Sequence, residues 1–172
     1  KKYGTESALN GFDEFTMLLS APLGKYIGFT EKEVKSLYHI YGMDFDEAKR
    51  WYDGYEVENG LHIYNPKSVV DSVYRKEIAN YWTKTETYES LKDYISMNFD
   101  GLKDVIIELL SGEQVKVDTE TFENDMVSFA RKDDVLTVLV HLGYLAYHKE
   151  SKQVYIPNEE VRSEFLRAVR NE

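Results

Sequence analysis

The sequence contains no cysteine, so neither disulfide bridges nor thiolate metal sites can form. Its apolar runs fall short of the roughly 20 residues that a membrane-spanning helix needs, and no signal-peptide pattern opens it. Histidine is scarce as well, and the four present do not follow a metal-ligand spacing. These absences predict a cytoplasmic protein with no membrane partner and no metal site.

Positive charge is also in short supply. Lys and Arg number 21 against 31 Asp and Glu, which leaves a net charge of −10. The balance is −2 for residues 1–84 and −8 for residues 85–172. An acidic surface repels phosphate backbones and anionic membranes. The composition therefore argues against nucleic acid as a partner, above all for the second half.

Apolar residues, by contrast, make up 42% of the chain, and 14 residues are tyrosines, which predicts a folded rather than a disordered protein. A chain of 172 residues suits one moderate domain or two small ones that share a core. It starts at Lys1 without an initiator Met, so we expect a fragment of a longer protein.

The stretch from Arg50 to Val70 carries the densest structural signals. Asp53-Gly54 ends a helix, and two alternating runs, Tyr55–Glu58 and Leu61–Tyr64, flank Asn59-Gly60. Asn-Gly favours a two-residue hairpin, because both central residues of a type I′ turn need a positive φ. We therefore predict a hairpin over residues 55–64.

A helix should follow this hairpin, because Asn65 suits its N-cap and Pro66 its first position. Two more helices precede the hairpin. Thr30 and Glu33 form a capping box for the first, which ends at Gly42, and Asp44 or Asp46 caps the second. Val34, Leu37, Tyr38 and Tyr41 recur at helical spacing in the first helix, and the second helix carries Ala48, Trp51 and Tyr52. Val69, Val70 and Val73 of the third helix are expected to face inward, and Trp51 to be largely buried between the first and third helices. Residues 1–84 are thus predicted to form a helical lid-like bundle with an inserted hairpin.

Residues 85–172 have a different pattern of apolar and turn residues. The pattern predicts helices, one strand and a second hairpin, while residues 119–131 stay ambiguous. The order of helix, strand, helix, two-stranded wing and helix indicates a winged-helix-like segment. The whole chain is therefore predicted to be mainly α with small β-hairpins, an α+β fold. The predicted elements are Glu86–Met97, Asp100–Leu110, Gln114–Val117, Lys132–Leu142, Tyr144–Lys149 with Gln153–Ile156, and a last helix carrying Val161, Phe165, Leu166 and Val169.

Catalytic motifs are missing. Gly24-Lys25 is not a phosphate-binding loop, because Leu19 occupies the position of the first glycine in G-x-x-x-x-G-K-[ST]. No nucleophile–base pair can be identified, so no catalytic residue is predicted. His141 lies in an apolar helix, and a structural role is the expected one.

Seven short motifs, spread in order over nearly the whole chain, are similar to those of the bacterial predicted AAA-ATPase-like family. Each motif alone is weak, whereas seven in order are fairly specific. They are Tyr3-Gly4-Thr5-Glu6-Ser7-Ala8-Leu9-Asn10, Gly28-Phe29-Thr30-Glu31-Lys32-Glu33-Val34, Trp51-Tyr52-Asp53-Gly54-Tyr55, Ile63-Tyr64-Asn65-Pro66-Lys67-Ser68-Val69, Tyr81-Trp82-Thr83, Leu142-Gly143-Tyr144-Leu145 and Ile156-Pro157-Asn158-Glu159-Glu160-Val161.

The resemblance implies a place within a larger protein. Members look like signal-transduction-type P-loop ATPases, with a nucleotide-binding core, a helical lid and a winged-helix-like segment, and many continue into a restriction-endonuclease-like domain. This chain lacks the Walker A loop and the Walker B acid, so it is expected to hold no cofactor and to be non-catalytic alone. ATP with Mg²⁺ is implied for the parent, and the missing N-terminal ATPase core in cis is the expected partner, beside a C-terminal nuclease-like domain or a protein partner.

The lid interpretation suggests cofactor-binding residues. Arg50, Asp53, Gly54, Asn65 and Pro66 resemble a lid face turned toward the nucleotide, since a helix N-terminus attracts an anion. The alternative is purely structural: Trp51, Tyr55 and Tyr64 belong to the core, and Asn65 is only a cap.

Three classes of function remain open after the sequence is read. The favoured one is a regulatory lid and winged-helix segment of an ATPase. The others are a nucleic-acid-binding winged helix and a protein-interaction module, for which exposed tyrosines would be suitable anchors.

Overall fold

The computed structural model describes Leu18 and residues 23–57, 60–82, 86–120 and 129–170. Within these ranges the chain forms seven α-helices and two three-stranded antiparallel sheets. The predicted mixed α+β fold, mainly helical with small β-hairpins, is confirmed. None of the helices in the described ranges is long and apolar enough to cross a membrane.

The first two helices begin and end where the local sequence signals place them. Helix α1 (Glu31–Tyr41) starts with the Thr30–Glu33 capping box and ends at Gly42, which has a φ of 66°. Helix α2 (Phe45–Tyr52) is capped by Asp44, whose side chain accepts from two backbone N–H groups of the first turn. These caps satisfy donors that a helix end leaves unpaired.

The first sheet contains the predicted hairpin and one strand that was not predicted. Strands β2 (Tyr55–Val57) and β3 (Leu61–Tyr64) pair with Glu56 opposite His62, while β1 (Phe29–Thr30) pairs with the other edge of β3. The two-residue β1 is too short to give an alternating pattern. The predicted two-residue loop was wrong, because Val57 pairs with Leu61 and three residues, 58–60, lie between them. Asn59 lies outside the described residues, and Gly60 has a positive φ of 73°.

Helix α3 (Pro66–Arg75) starts at the predicted Asn65 cap and Pro66. One burial prediction for this half was wrong. Val70 is 50% exposed, because it lies off the stripe formed by Val69 and Val73. Trp51 packs against the core of this half with a minor part of its surface exposed, while its neighbour Tyr52 is fully buried. The core of this half consists of Val34, Tyr38, Ala48, Tyr52, Tyr64, Val69 and Val73.

The second half contains the other four helices and the second sheet, in the strand order β4-β6-β5. Its large core is built around α6, in which residues 134–140 are all buried. Of the ambiguous stretch 119–131, residues 121–128 lie outside the described ranges. The elements are α4 (Glu86–Ser96), α5 (Leu102–Leu110), β4 (Val115–Lys116), α6 (Lys132–His141), β5 (Ala146–His148), β6 (Gln153–Tyr155) and α7 (Glu159–Arg170).

A small third cluster connects the two sheets. Tyr55 and Ile63 from the first sheet are buried against Ala146 from the second, and Trp82 and Tyr155 pack around them. Trp82 also contacts the large core of the second half. The two halves therefore share buried apolar surface.

Candidate functional site

The halves meet where the Asp53-Gly54 turn contacts the segment before α7. Gly54 has a φ of 118°, and a Cβ added there would lie 2.1 Å from the Pro157 carbonyl oxygen. Asn158 Nδ2 donates to the Asp53 carbonyl at 2.9 Å, and Tyr155 Oη donates to the Gly54 carbonyl at 2.8 Å. Only glycine fits this approach of two backbones. Two motifs about 100 residues apart in the sequence are thus in direct contact.

We call this region the joint. Its members link β2, α3 and the 79–82 segment of the first half to β5, β6 and α7 of the second. They are Asp53, Gly54, Tyr55, Glu56, Ser68, Asn80, Tyr81, Trp82, Gly143, His148, Tyr155, Pro157, Asn158 and Glu160.

The sheet side of the joint combines a buried tyrosine with a histidine–carboxylate pair. Tyr55 Oη donates to the Gly143 carbonyl at 2.7 Å. His148 Nδ1 lies 2.8 Å from Glu56 Oε2, and the His148 ring stacks on Tyr155 with 4.6 Å between ring centroids. This pair becomes an ion pair only when the imidazole carries a second proton.

The helix side of the joint is organised by Glu160, whose side chain is completely buried. Ser68 Oγ donates to Glu160 Oε2 at 2.8 Å, and the Tyr81 backbone N–H donates to Glu160 Oε1 at 2.6 Å. Burial raises the pKa of the Glu160 carboxyl, although the hydrogen bond from Ser68 opposes the shift. Glu160 thereby connects α7 to two separate parts of the first half.

A second histidine–carboxylate pair supports the turn from within the first half. His62 Nδ1 lies 3.2 Å from Oδ1 of Asp53, whose side chain is nearly buried. The pair holds the side chain of Asp53 while its backbone carbonyl bonds to Asn158. Asp53 therefore has partners on both sides of the joint.

The five residues predicted to face a nucleotide have separate environments. Asp53 and Gly54 lie together in the joint, and Asn65 and Pro66 start α3, where Asn65 Oδ1 accepts from the Lys67 backbone N–H at 3.0 Å. Arg50 is largely exposed and lies 3.8 Å from Glu47. Each residue except Arg50 has a structural role, and contact of any of them with a nucleotide stays a prediction.

Sequence reasoning missed Glu160 and Ser68, which form the most deeply buried polar pair of the joint. A signal existed, because Glu160 and Glu164 lie one position before the core residues Val161 and Phe165 and so border the apolar face of α7. A hydroxyl beside a carboxylate resembles a nucleophile–base pair. Both side chains are completely buried, however, so no substrate reaches them in this conformation.

The described ranges contain no group of three or more His, Asp or Glu side chains arranged to hold a metal ion.

A second feature is an apolar groove beside α1 in the first half. It has a volume of about 570 Å³ and is lined by Phe29, Leu37 and Ile40, with polar residues of α1 at its rim. Ile40 is 74% exposed. The neighbouring residues Tyr26 and Ile27 add further exposed apolar surface.

Comparison with known proteins leaves the family open. No protein-family model matches the chain, and no solved structure matches it. The chain is 29% identical over 92 residues to an uncharacterized protein in the vnfD 5′ region of Azotobacter chroococcum mcd 1. The match covers 52% of this chain and 17% of that relative. The chain thus corresponds to less than a fifth of the relative, whose printed name states no activity.

Proposed function

We propose that this chain is a non-catalytic regulatory segment of a larger ATPase. Residues 1–84 act as a lid-like half beside ATP–Mg²⁺ that an upstream P-loop core binds, and residues 85–172 act as a winged-helix-like half. The joint is the observation that carries this proposal. It attaches the stretch predicted to face the nucleotide directly to the second half.

A regulatory segment must transmit a displacement from one site to another, which requires a contiguous set of packed and hydrogen-bonded groups. The Asp53-Gly54 turn bonds to Tyr155, the last residue of β6, and to Asn158, which directly precedes α7. A shift of the turn toward a nucleotide would therefore move β6 and α7. The strand order β4-β6-β5 with α6 before the wing supports the winged-helix interpretation of the half that moves.

The same structure disfavours DNA reading by this segment. In a winged helix the helix before the wing enters the major groove, where polar side chains contact base edges. Here that helix is α6, and its residues 134–140 are buried in the core. The balance of −8 in this half adds electrostatic repulsion. The second half is better suited to contacts within the protein or with a protein partner.

A protein-interaction module is the second candidate, and the groove beside α1 favours it. Exposed apolar surface at Tyr26, Ile27 and Ile40 is typical of sites that another protein covers. This role is compatible with a regulatory segment, because a lid has to contact its core.

Calorimetry with ATP–Mg²⁺ tests the proposal. The isolated chain should give no binding heat, because nucleotide affinity in P-loop proteins comes chiefly from the glycine-rich loop, its Lys and Mg²⁺. In a longer protein that includes the upstream core, Arg50→Ala should change ATP affinity or turnover. Arg170→Ala, at the exposed end of α7, is the matched control and should change neither.

Two results would remove the nucleotide-linked role. One is tight ATP binding by the isolated chain. The other is a longer protein in which Arg50→Ala and Arg170→Ala behave alike.

A further inference from the structure

Glu160 is an unusual carboxylate, because neutral groups surround it at the centre of the joint. Its two oxygens accept from Ser68 Oγ and the Tyr81 backbone N–H. Four tyrosine side chains of the first half lie close enough to Glu160 for its charge to raise the pKa of their phenols. They are Tyr38 on α1, Tyr52 on α2, Tyr55 on β2 and Tyr81 in the connecting segment.

The charged groups near Glu160 are engaged elsewhere. The positive charge of Lys67 on α3 favours the ionised form of Glu160, but the Lys67 side chain is about half exposed and its amine is bonded to Asp71. On α7 itself, Glu164 is nearly buried and pairs with Arg167 at 2.7 Å. The Glu160 carboxylate is completely buried, and within the described part of the chain no Lys, Arg or His side chain is bonded to it, which is a costly arrangement for a charge.

We propose that Glu160 is a protonation switch that controls how tightly the two halves are joined. When Glu160 is protonated, one carboxyl oxygen accepts from the Tyr81 N–H and the other can hydrogen-bond with Ser68. When Glu160 is deprotonated, its carboxylate is a buried charge, which favours an opened joint that admits water. This inference concerns the joint alone and holds whether or not the larger protein is an ATPase.

The direction of the pH effect follows from the pKa shift. Burial raises the pKa of Glu160 above the ordinary value of 4.5, so the closed joint binds the proton more tightly than the opened one. The bound proton therefore stabilises the closed joint fully when the pH is below the ordinary pKa of a glutamate. This stabilisation is lost as the pH rises through the pKa that Glu160 has in the closed joint.

Trp82 provides a reporter for the test. Its indole packs within the joint against Tyr144 and Gly143, and the chain has only two tryptophans. In a Trp51→Phe background, emission comes from Trp82 alone. Quenching by acrylamide, which is uncharged, measures the access of solvent to Trp82 from about pH 5 to about pH 9.

The quenching constant should rise with pH along a single-proton curve. Glu160→Gln should abolish the curve, whereas Glu113→Gln, at an exposed carboxylate, should leave it unchanged. Ser68→Ala removes a donor that lowers the pKa, so it should move the midpoint to higher pH.

A flat profile in the Trp51→Phe protein would overturn the proposal, and so would the same curve after Glu160→Gln. If Glu160→Gln fails to fold by circular dichroism, Ser68→Ala decides, and an unmoved midpoint then contradicts the switch.

Discussion

Replacing Gly54 with alanine tests the joint at its tightest contact. The added Cβ would lie 2.1 Å from the Pro157 carbonyl oxygen and within 3 Å of two further Pro157 backbone atoms. Because these atoms are backbone, they cannot rotate away as the end of a side chain would. The joint must widen, and its hydrogen bonds from Tyr155 and Asn158 must lengthen.

The magnitude has two parts. A non-glycine residue at positive φ costs about 1–2 kcal/mol. Overpacking a close contact adds about 1–3 kcal/mol. We therefore expect Gly54→Ala to lower the free energy of unfolding by roughly 2–5 kcal/mol, a large fraction of a typical total of about 5–15 kcal/mol.

Gly42 offers a matched control. It also has a positive φ, of 66°, but a Cβ added there meets nothing within 4 Å. Gly42→Ala should therefore lower the free energy of unfolding only by the cost of the positive φ, about 1–2 kcal/mol. Urea unfolding followed by circular dichroism measures both variants. If Gly54→Ala is no less stable than Gly42→Ala, the contact between the Asp53-Gly54 turn and Pro157 does not form as described.

Two further predictions follow from the cores of the two halves. Tyr52→Ala should cost about 3–5 kcal/mol of unfolding free energy, because Tyr52 is fully buried and its hydroxyl donates to the Ala79 carbonyl at 2.8 Å. Trp51→Ala, at a partly buried site, should cost clearly less in the same urea titration, and the reverse order would place Trp51 in the core. Duplex DNA should not bind more tightly than roughly 10⁻⁴ M at physiological salt, since α6 is buried. A salt-dependent rise in fluorescence anisotropy at micromolar protein would contradict this.

The helix and hairpin signals that depend on neighbouring residues were readable from the sequence. The Thr30–Glu33 capping box, Gly42, the Asn65 cap and Pro66 each act within one turn of a helix, and the structure confirms them. The second hairpin was predicted for the same reason, because alternation and turn residues are local properties.

The joint could not be predicted in this way. The Asp53-Gly54 turn looked like a helix end followed by a hairpin, and nothing local showed that Pro157 would lie against Gly54. Glutamate is usually exposed, and Glu160 is buried because α7 packs against distant parts of the chain, with Ser68 and Tyr81 as its hydrogen-bond partners. These contacts join segments that are far apart in the sequence, so no local pattern predicts them.

The most direct test of the account asks whether the joint makes one cooperative unit of the two halves. Trp82→Phe leaves Trp51 as the reporter of the first half, and Trp51→Phe leaves Trp82 as the reporter of the joint and second half. In urea, each variant's fluorescence transition is compared with its own circular dichroism transition, since coincident probes indicate two-state unfolding. The joint predicts coincident midpoints in both proteins. A Trp51 transition separated from the circular dichroism transition would mean that the halves unfold independently, and would contradict the account.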